Sequence, residues 1–351
     1  MSVLIWGMLL SQKTQKVLVL GGGSFGTVLA NMLACNNVPV TLWMRDADNA
    51  THCRTEGQNK RYLPGYHLSP NLGISDNLSA SVAEAETLFF AVPSEALFGL
   101  AQLVTKDIAK DVTVISTSKG IYGDGFLLPS QIIEQLIPHA RIGVLSGPNL
   151  AKEIADREIT ATVVASNDRE VCRQIQYLLA SDYFRVYANY DRLGVELAGA
   201  LKNIYAIVAG IAEARKAGQN TKSVALTRSL AEMSRFGAQF GADPMTFLGL
   251  SGVGDLFVTC TSRLSRNFQV GLGLGHGKLL SQALTDVGQI AEGVNTTKLV
   301  KEKADDMGVY MPLCSALYYT LFEGQSIEDA LRSMMLAEQN TDVDFVVREN
   351  D

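Results

Sequence analysis

Lys16-Val17-Leu18-Val19-Leu20-Gly21-Gly22-Gly23-Ser24-Phe25-Gly26 is the stretch whose reading decides the fold. A short run of valine and leucine stops at three glycines, and Thr27 to Ala34 then reads as a helix. Strand, G-x-G-x-x-G and helix, in that order, is the context a dinucleotide fingerprint requires. Gly21 allows the tight turn, Gly23 lets the main chain approach a pyrophosphate, and Gly26 lets the helix pack on the strand. The N-terminus of the helix presents free N–H groups and a positive dipole end to the phosphates.

Outward from this stretch the pattern is α/β. The second strand is predicted over Val38–Met44. An acid at the end of that strand is the mark of an NAD site, whereas an arginine accommodates the extra phosphate of NADP. Here Arg45 comes first and Asp46 follows. The guanidinium favours NADP, while Asp46 keeps NAD open. Further parallel strands are predicted at Thr87–Val92, Val112–Thr117, Ile142–Leu145 and Thr160–Ala165. Strands alternating with helical stretches build a doubly wound sheet that binds ligands at the carboxyl ends of its strands. Three of those ends carry notable residues: Ala91-Val92-Pro93-Ser94, Ser118-Lys119-Gly120-Ile121 and Ser146-Gly147-Pro148-Asn149-Leu150-Ala151.

From about Asp191 the strand signals stop. Helical segments are predicted at Leu193–Ala212, Ser223–Phe240, Ser281–Gly288, Thr296–Met307 and Ser326–Met335. The first is apolar on nearly every turn, which marks a buried helix, yet it carries Lys202-Asn203 in its middle. A buried ammonium is costly unless it is paired or gives up its proton, and a desolvated lysine of lowered pKa can do acid/base work near neutral pH. The bland alternative is a lysine whose stem lies on apolar surface while its head reaches water. Two turns are read between the helices. Gly249 to Leu256 is glycine-rich and brings in Asp255, a residue common in turns and helix caps. Thr261 to Phe268 groups Ser265, Arg266 and Asn267, donors suited to a phosphate where a helix begins. The fold class is therefore an α/β N-terminal Rossmann-type doubly wound sheet plus an all-α C-terminal domain. Residues 1–15 are read as an extension, 16–190 as the dinucleotide domain and 191–351 as the helical substrate domain.

Composition narrows the function. The 351 residues are 47% apolar, ample for sizeable cores, and the net charge of -6 offers no footprint for nucleic acid. Five scattered cysteines without Cys-x-x-Cys, and four histidines with no two at ligand spacing, point to a reduced, cytoplasmic protein without a metal site. Val3–Leu10 is apolar but too short to span a bilayer and lacks the marks of a signal peptide, so no integral membrane segment is expected.

Taken together and in order, these motifs resemble the NAD(P)-dependent glycerol-3-phosphate dehydrogenases of the bacterial type. The similar stretches are Gly21–Thr27, Asn59–Gly65, Ala91–Ser94, Lys119–Ile121, Leu145–Pro148, Gly194–Ala206, Gly252–Leu256, Ser265–Asn267 and Ala291–Gly293. The resemblance implies reversible reduction of dihydroxyacetone phosphate to sn-glycerol 3-phosphate, feeding glycerophospholipid synthesis, in a cytoplasmic homodimer. It implies that Lys202 exchanges the proton, with Lys119 and Asp255 beside it. It implies substrate contacts from Lys119, Gly147, Asn149, Lys202, Asn203, Asp255, Ser265, Arg266 and Asn267. For the nucleotide it implies Ser24, Phe25, Arg45, Lys119, Ala151, Arg266, Ile290 and Glu292, besides the glycines. Phe25 stands where the family often has Trp or Tyr, and Asn149 where it has a small hydroxyl residue. The alternatives are a related lysine-dependent dehydrogenase of 3-hydroxy acids, which needs no Arg266-Asn267 cluster, and a non-catalytic NADP-binding sensor.

Overall fold

The computed structural model describes residues 15–123 and 125–336. The apolar stretch Val3–Leu10 lies outside them. Residues 17–189 form one eight-stranded sheet in the order β3-β2-β1-β4-β5-β6-β7-β8. The strands are β1 Val17–Leu20, β2 Val40–Trp43, β3 Leu72–Ser75, β4 Thr87–Phe90, β5 Thr113–Ser116, β6 Arg141–Ser146, β7 Thr160–Ala165 and β8 Phe184–Asn189. β1, β4 and β5 are buried at every residue, as strands covered on both faces must be. Two apolar cores flank them. One is built on Val17, Leu29, Leu33 and Phe89, the other on Leu18, Leu20, Phe90 and Leu97. The order reverses direction between β1 and β4, the switch point where doubly wound sheets take their ligands.

The first six strands are parallel, as expected, but β7 is not. It pairs antiparallel with β6, Leu145 opposite Val164, and β8 then runs parallel to β7. The reason lies in the connection. A parallel crossover needs a substantial helix to return the chain to the starting edge, and the chain between β6 and β7 holds only the five-residue helix Ala151–Ala155. Strands β3 and β8 and the helix Pro312–Phe322 were not anticipated.

Residues 192–336 are helical. The helix Arg192–Ala214 is buried without interruption from Gly194 to Ile207. It is enclosed by the helices Gln219–Gln239, Asp255–Thr261, Arg266–Gly275 and Glu292–Met307. Among the described residues it is the one helix long and apolar enough to cross a membrane, and 78% of its apolar window is buried inside the protein. The Gly249–Leu256 stretch, expected as a turn, forms one π-helical turn, Leu250–Gly254, and then continues into the helix Asp255–Thr261.

Candidate active site

The nucleotide rim is built from the main chain. Gly21 has φ of +120°, and a Cβ there would lie 2.5 Å from the Ala91 carbonyl oxygen at the end of β4. A Cβ on Gly26 would lie 2.0 Å from the Gly21 oxygen, so both glycines are required by the turn itself. Gly23 differs. A Cβ there would meet nothing within 4 Å, so packing within the protein does not account for this glycine, whereas the approach of a pyrophosphate does. The first helical bond runs from Thr27 N–H to Gly23 O, which leaves the N–H groups of Ser24, Phe25 and Gly26 ahead of the ladder. These features fit a bound dinucleotide.

The Asn59–Gly65 segment buttresses this turn. The Asn59 amide donates to Gly22 O (2.9 Å) and to Thr27 Oγ1 (2.8 Å), and Ser24 Oγ donates to Tyr62 O (2.6 Å). Phe25 is half-buried against the core beneath. At the end of β2, Arg45 is exposed. Asp46 Oδ1 caps the next helix by accepting the Asn49 N–H (3.0 Å), and Asp46 Oδ2 pairs with Arg61 (2.8 Å). Arg61 is a residue that sequence reasoning missed, because it reaches Asp46 only through the fold.

Three separate segments meet in the charge cluster. Lys202 Nζ donates to Asp255 Oδ1 (2.6 Å) and Thr259 Oγ1 (2.6 Å). Lys119 Nζ, just past the end of β5, donates to Asp255 Oδ2 (2.6 Å) and Gly147 O (2.9 Å). One carboxylate thus holds two ammonium groups, one on each oxygen. The Asp255 side chain is 1% exposed, that of Lys202 8% and that of Lys119 22%, so the cluster opens on the Lys119 side. Burial lowers the Lys202 pKa to about 8; Asp255 opposes the shift and the Lys119 charge adds to it. Thr259 was also missed, although it stands four residues after Asp255 and so shares its helix face. Neighbouring Cys260 is no nucleophile, since burial pushes its thiol up to about 12.

A ladder of amides fixes the surrounding elements. Asn203 Nδ2 donates to Lys119 O (3.0 Å), Asn267 Nδ2 donates to Asn203 Oδ1 (2.9 Å), and Gly293 N–H donates to Asn267 Oδ1 (3.0 Å). The side-chain oxygens of Asn203 and Asn267, two residues implied to contact substrate, are therefore engaged within the protein. Ser265 caps the helix Arg266–Gly275 by accepting the Phe268 N–H (3.2 Å). The N–H groups of Arg266 and Asn267 precede that ladder, and the Arg266 side chain is exposed beside them. Glu292 grips the sheet side of the cleft: its carboxylate accepts Ser94 N–H (3.0 Å) and Ser94 Oγ–H (2.6 Å). Ala151 opens its short helix, and Ile290 is exposed two residues before Glu292. Asn149 Nδ2 donates to Thr162 Oγ1 (2.8 Å). Among the described residues no group of His, Cys, Asp and Glu is placed to hold a metal ion.

A glycine turn at the switch point of a Rossmann-type sheet, with a buried lysine of the helical region bridged to the same rim through Asp255 and Lys119, is the arrangement of a nicotinamide-dependent dehydrogenase. The comparisons carry this to a family. Residues 16–172 match the profile of the NAD-dependent glycerol-3-phosphate dehydrogenase N-terminus, and residues 191–332 that of its C-terminus. The chain is 54% identical to the glycerol-3-phosphate dehydrogenase [NAD(P)+] of Teredinibacter turnerae, covering 94% of this chain and 97% of that one. It is 52% identical to the enzyme of the same name from Azotobacter vinelandii, covering 95% and 97%. The crystal structure of glycerol-3-phosphate dehydrogenase from Coxiella burnetii superposes with a TM-score of 0.89 at 34% identity, covering 93% and 100%. The chain belongs to the NAD-dependent glycerol-3-phosphate dehydrogenase family. Neither the 3-hydroxy acid dehydrogenase nor the sensor is supported.

Proposed function

We propose that the protein reduces dihydroxyacetone phosphate reversibly to sn-glycerol 3-phosphate, with residues 16–190 holding the nucleotide and the helical residues from 191 onward holding the substrate. The observation that carries this reading is the buried Lys202–Asp255–Lys119 bridge on the same rim as the glycine turn. When bound, the reduced nicotinamide supplies a hydride to the carbonyl carbon. Lys202 donates its proton to the carbonyl oxygen as negative charge develops there, and takes it back in oxidation. With its pKa near 8, Lys202 is mostly protonated at neutral pH and still gives up the proton readily. Asp255 and Thr259 aim the Lys202 ammonium, and Lys119, the more exposed of the two lysines, adds positive charge beside the developing oxyanion. The Arg266 guanidinium and the N–H groups of Arg266 and Asn267 take the phosphate, where a helix start and a fixed charge reinforce one another. Binding at that distance from the reacting carbon serves to position it.

NADP is the preferred nucleotide in this reading. A carboxylate selects NAD by accepting the ribose hydroxyls. Both Asp46 oxygens are already engaged, one by a helix cap and one by Arg61, while Arg45 is exposed alongside. The product would supply glycerophospholipid synthesis. A cytoplasmic location is supported by the unpaired state of all five cysteines. A homodimer is the assembly that the family resemblance implies. Initial-rate kinetics with dihydroxyacetone phosphate and each reduced nucleotide test the assignment. Consumption of NADPH that depends on the keto-phosphate is the expected result, with a lower rate for NADH. No turnover with either nucleotide would sink the activity, and a preference for NADH would sink the NADP reading alone.

A further inference from the structure

The turn Ser146-Gly147-Pro148-Asn149 follows β6 and supplies the carbonyl that holds Lys119. Its neighbour is Thr162 in the first half of β7. This adjacency exists only because β7 runs antiparallel to β6, with Ser146 opposite Val163. Thr162 is fully buried and touches the turn at three points. Its hydroxyl donates to Ser146 O (2.9 Å) and accepts from Asn149 Nδ2 (2.8 Å). Gly147, at φ of +138°, packs so closely that a Cβ there would lie 3.2 Å from the Thr162 Cα.

A threonine hydroxyl has one proton. Here that proton is committed to Ser146 O, so toward Asn149 the oxygen can only accept. Asn149 must therefore turn its NH2 to Thr162 and present its carbonyl oxygen on the other side. That oxygen, Oδ1, is buried and has no hydrogen-bond partner among the described residues. A buried acceptor without a donor is unfavourable by itself and is a reason to look for a ligand. Ser146 Oγ is also unpaired, but it lies against the long helix, where a Cβ on Gly199 would come within 2.7 Å of it.

We propose that Thr162 is a positioning residue: it sets the polarity of the Asn149 amide so that Oδ1 accepts a hydrogen bond from a donor group of the bound ligands. The inference rests on the dehydrogenase reading above. The chemistry that fits is an uncharged O–H or N–H donor. Two sources qualify, the hydroxyl of the keto-phosphate substrate and the carboxamide NH2 of the nicotinamide. The anionic phosphates are excluded, because a carbonyl oxygen repels them. The substrate phosphate is therefore left to the Arg266 end of the cleft.

The test compares Asn149→Ala, Thr162→Val, Thr162→Ser and the double variant Asn149→Ala/Thr162→Val. Steady-state kinetics give KM and kcat for dihydroxyacetone phosphate, and fluorescence titration of the free enzyme gives the Kd for NADPH. Asn149→Ala and Thr162→Val should each weaken the same ligand by about tenfold. A rise in KM with NADPH affinity unchanged identifies the substrate hydroxyl. A rise in the NADPH Kd identifies the carboxamide. Thr162→Ser, which keeps the hydroxyl, should restore wild-type values within about twofold, and the double variant should be no worse than either single one. The proposal is overturned if Thr162→Val leaves both ligands bound normally. It is equally overturned if Thr162→Ser fails as badly as Thr162→Val, or if the single effects multiply in the double variant. Absence of turnover in the wild-type enzyme would refute the activity, while the NADPH titration would still report on the amide.

Discussion

The two sides of the cleft are made by different means. The glycine rim comes from one continuous stretch, Leu20 to Thr27, and offers main-chain N–H groups whose positions follow from a strand, a turn and a helix in sequence. The charge cluster comes from Lys119, Lys202 and Asp255, on three elements that are distant in the chain. The rim tolerates changes in many side chains but not in the space that glycine leaves. In the cluster the side chains themselves are the structure: loss of Asp255 would leave two ammonium groups without their shared carboxylate, while loss of either lysine would leave Asp255 held by the other. A local motif can therefore be read from spacing alone, whereas a cluster assembled by packing can only be anticipated one residue at a time.

The largest effect should come from the cluster. Lys202→Ala is expected to lower kcat for dihydroxyacetone phosphate by about 10²–10⁴-fold while the Kd for NADPH changes by less than about threefold. If nucleotide binding fell as far as turnover, the two sides would not be separable. A smaller effect, confined to the rim, distinguishes two of its glycines. Gly26→Ala would drive a methyl group into the Gly21 oxygen, so it should destabilise the protein by about 1–3 kcal/mol as well as weaken NADPH. Gly23→Ala meets no protein atom, so stability should hold within about 0.5 kcal/mol while NADPH binding still weakens. Equal losses of thermal stability in the two variants would show that Gly23 serves the fold and not the ligand.

The smallest effect is the pH dependence. Lys202 is held near 8, well below the usual lysine value, chiefly by burial. In the proposed reaction the protonated form is the donor for reduction. Reduction should therefore be sustained below about pH 8 and fall by up to about tenfold per unit above it, while oxidation of glycerol 3-phosphate rises through the same range. Rate profiles measured in both directions would check the sign. Profiles of the same shape in both directions would mean that the group being titrated is not this proton carrier.

Much of the fold was legible because its signals are local. Val17–Leu20, Leu88–Phe90 and Val114–Ile115 are apolar runs, bounded in the last two strands by the buried hydroxyl residues Thr87, Thr113 and Ser116, and such runs are what a strand buried on both faces requires. The long helix announced itself by apolar residues on every turn. The orientation of β7 was not legible, since Thr160–Ala165 looks the same in either direction and only the short helix before it decides. The site divides in the same way. Lys202 stood out as a charge on an apolar helix. Thr259 and Arg61 gave no such signal, because their importance lies in reaching Lys202 and Asp46. Asn203 and Asn267 were legible as polar residues in telling places. Their use in bonding Lys119 O, Gly293 N–H and one another was not.

By itself the sequence determined the dinucleotide turn, the change from alternating strands and helices to helices alone, and the presence of a lysine that burial would perturb. Each depends on residues within a few turns or one strand of each other, where backbone sterics and periodicity act directly. Only the tertiary structure decided that one carboxylate would hold both lysines, that Asp46 would be occupied by Arg61, and that an antiparallel strand would bring Thr162 beneath the Asn149 turn. Those outcomes depend on which distant surfaces pack together, and hydrogen-bond partners are assigned only when the packing brings their atoms within about 3 Å.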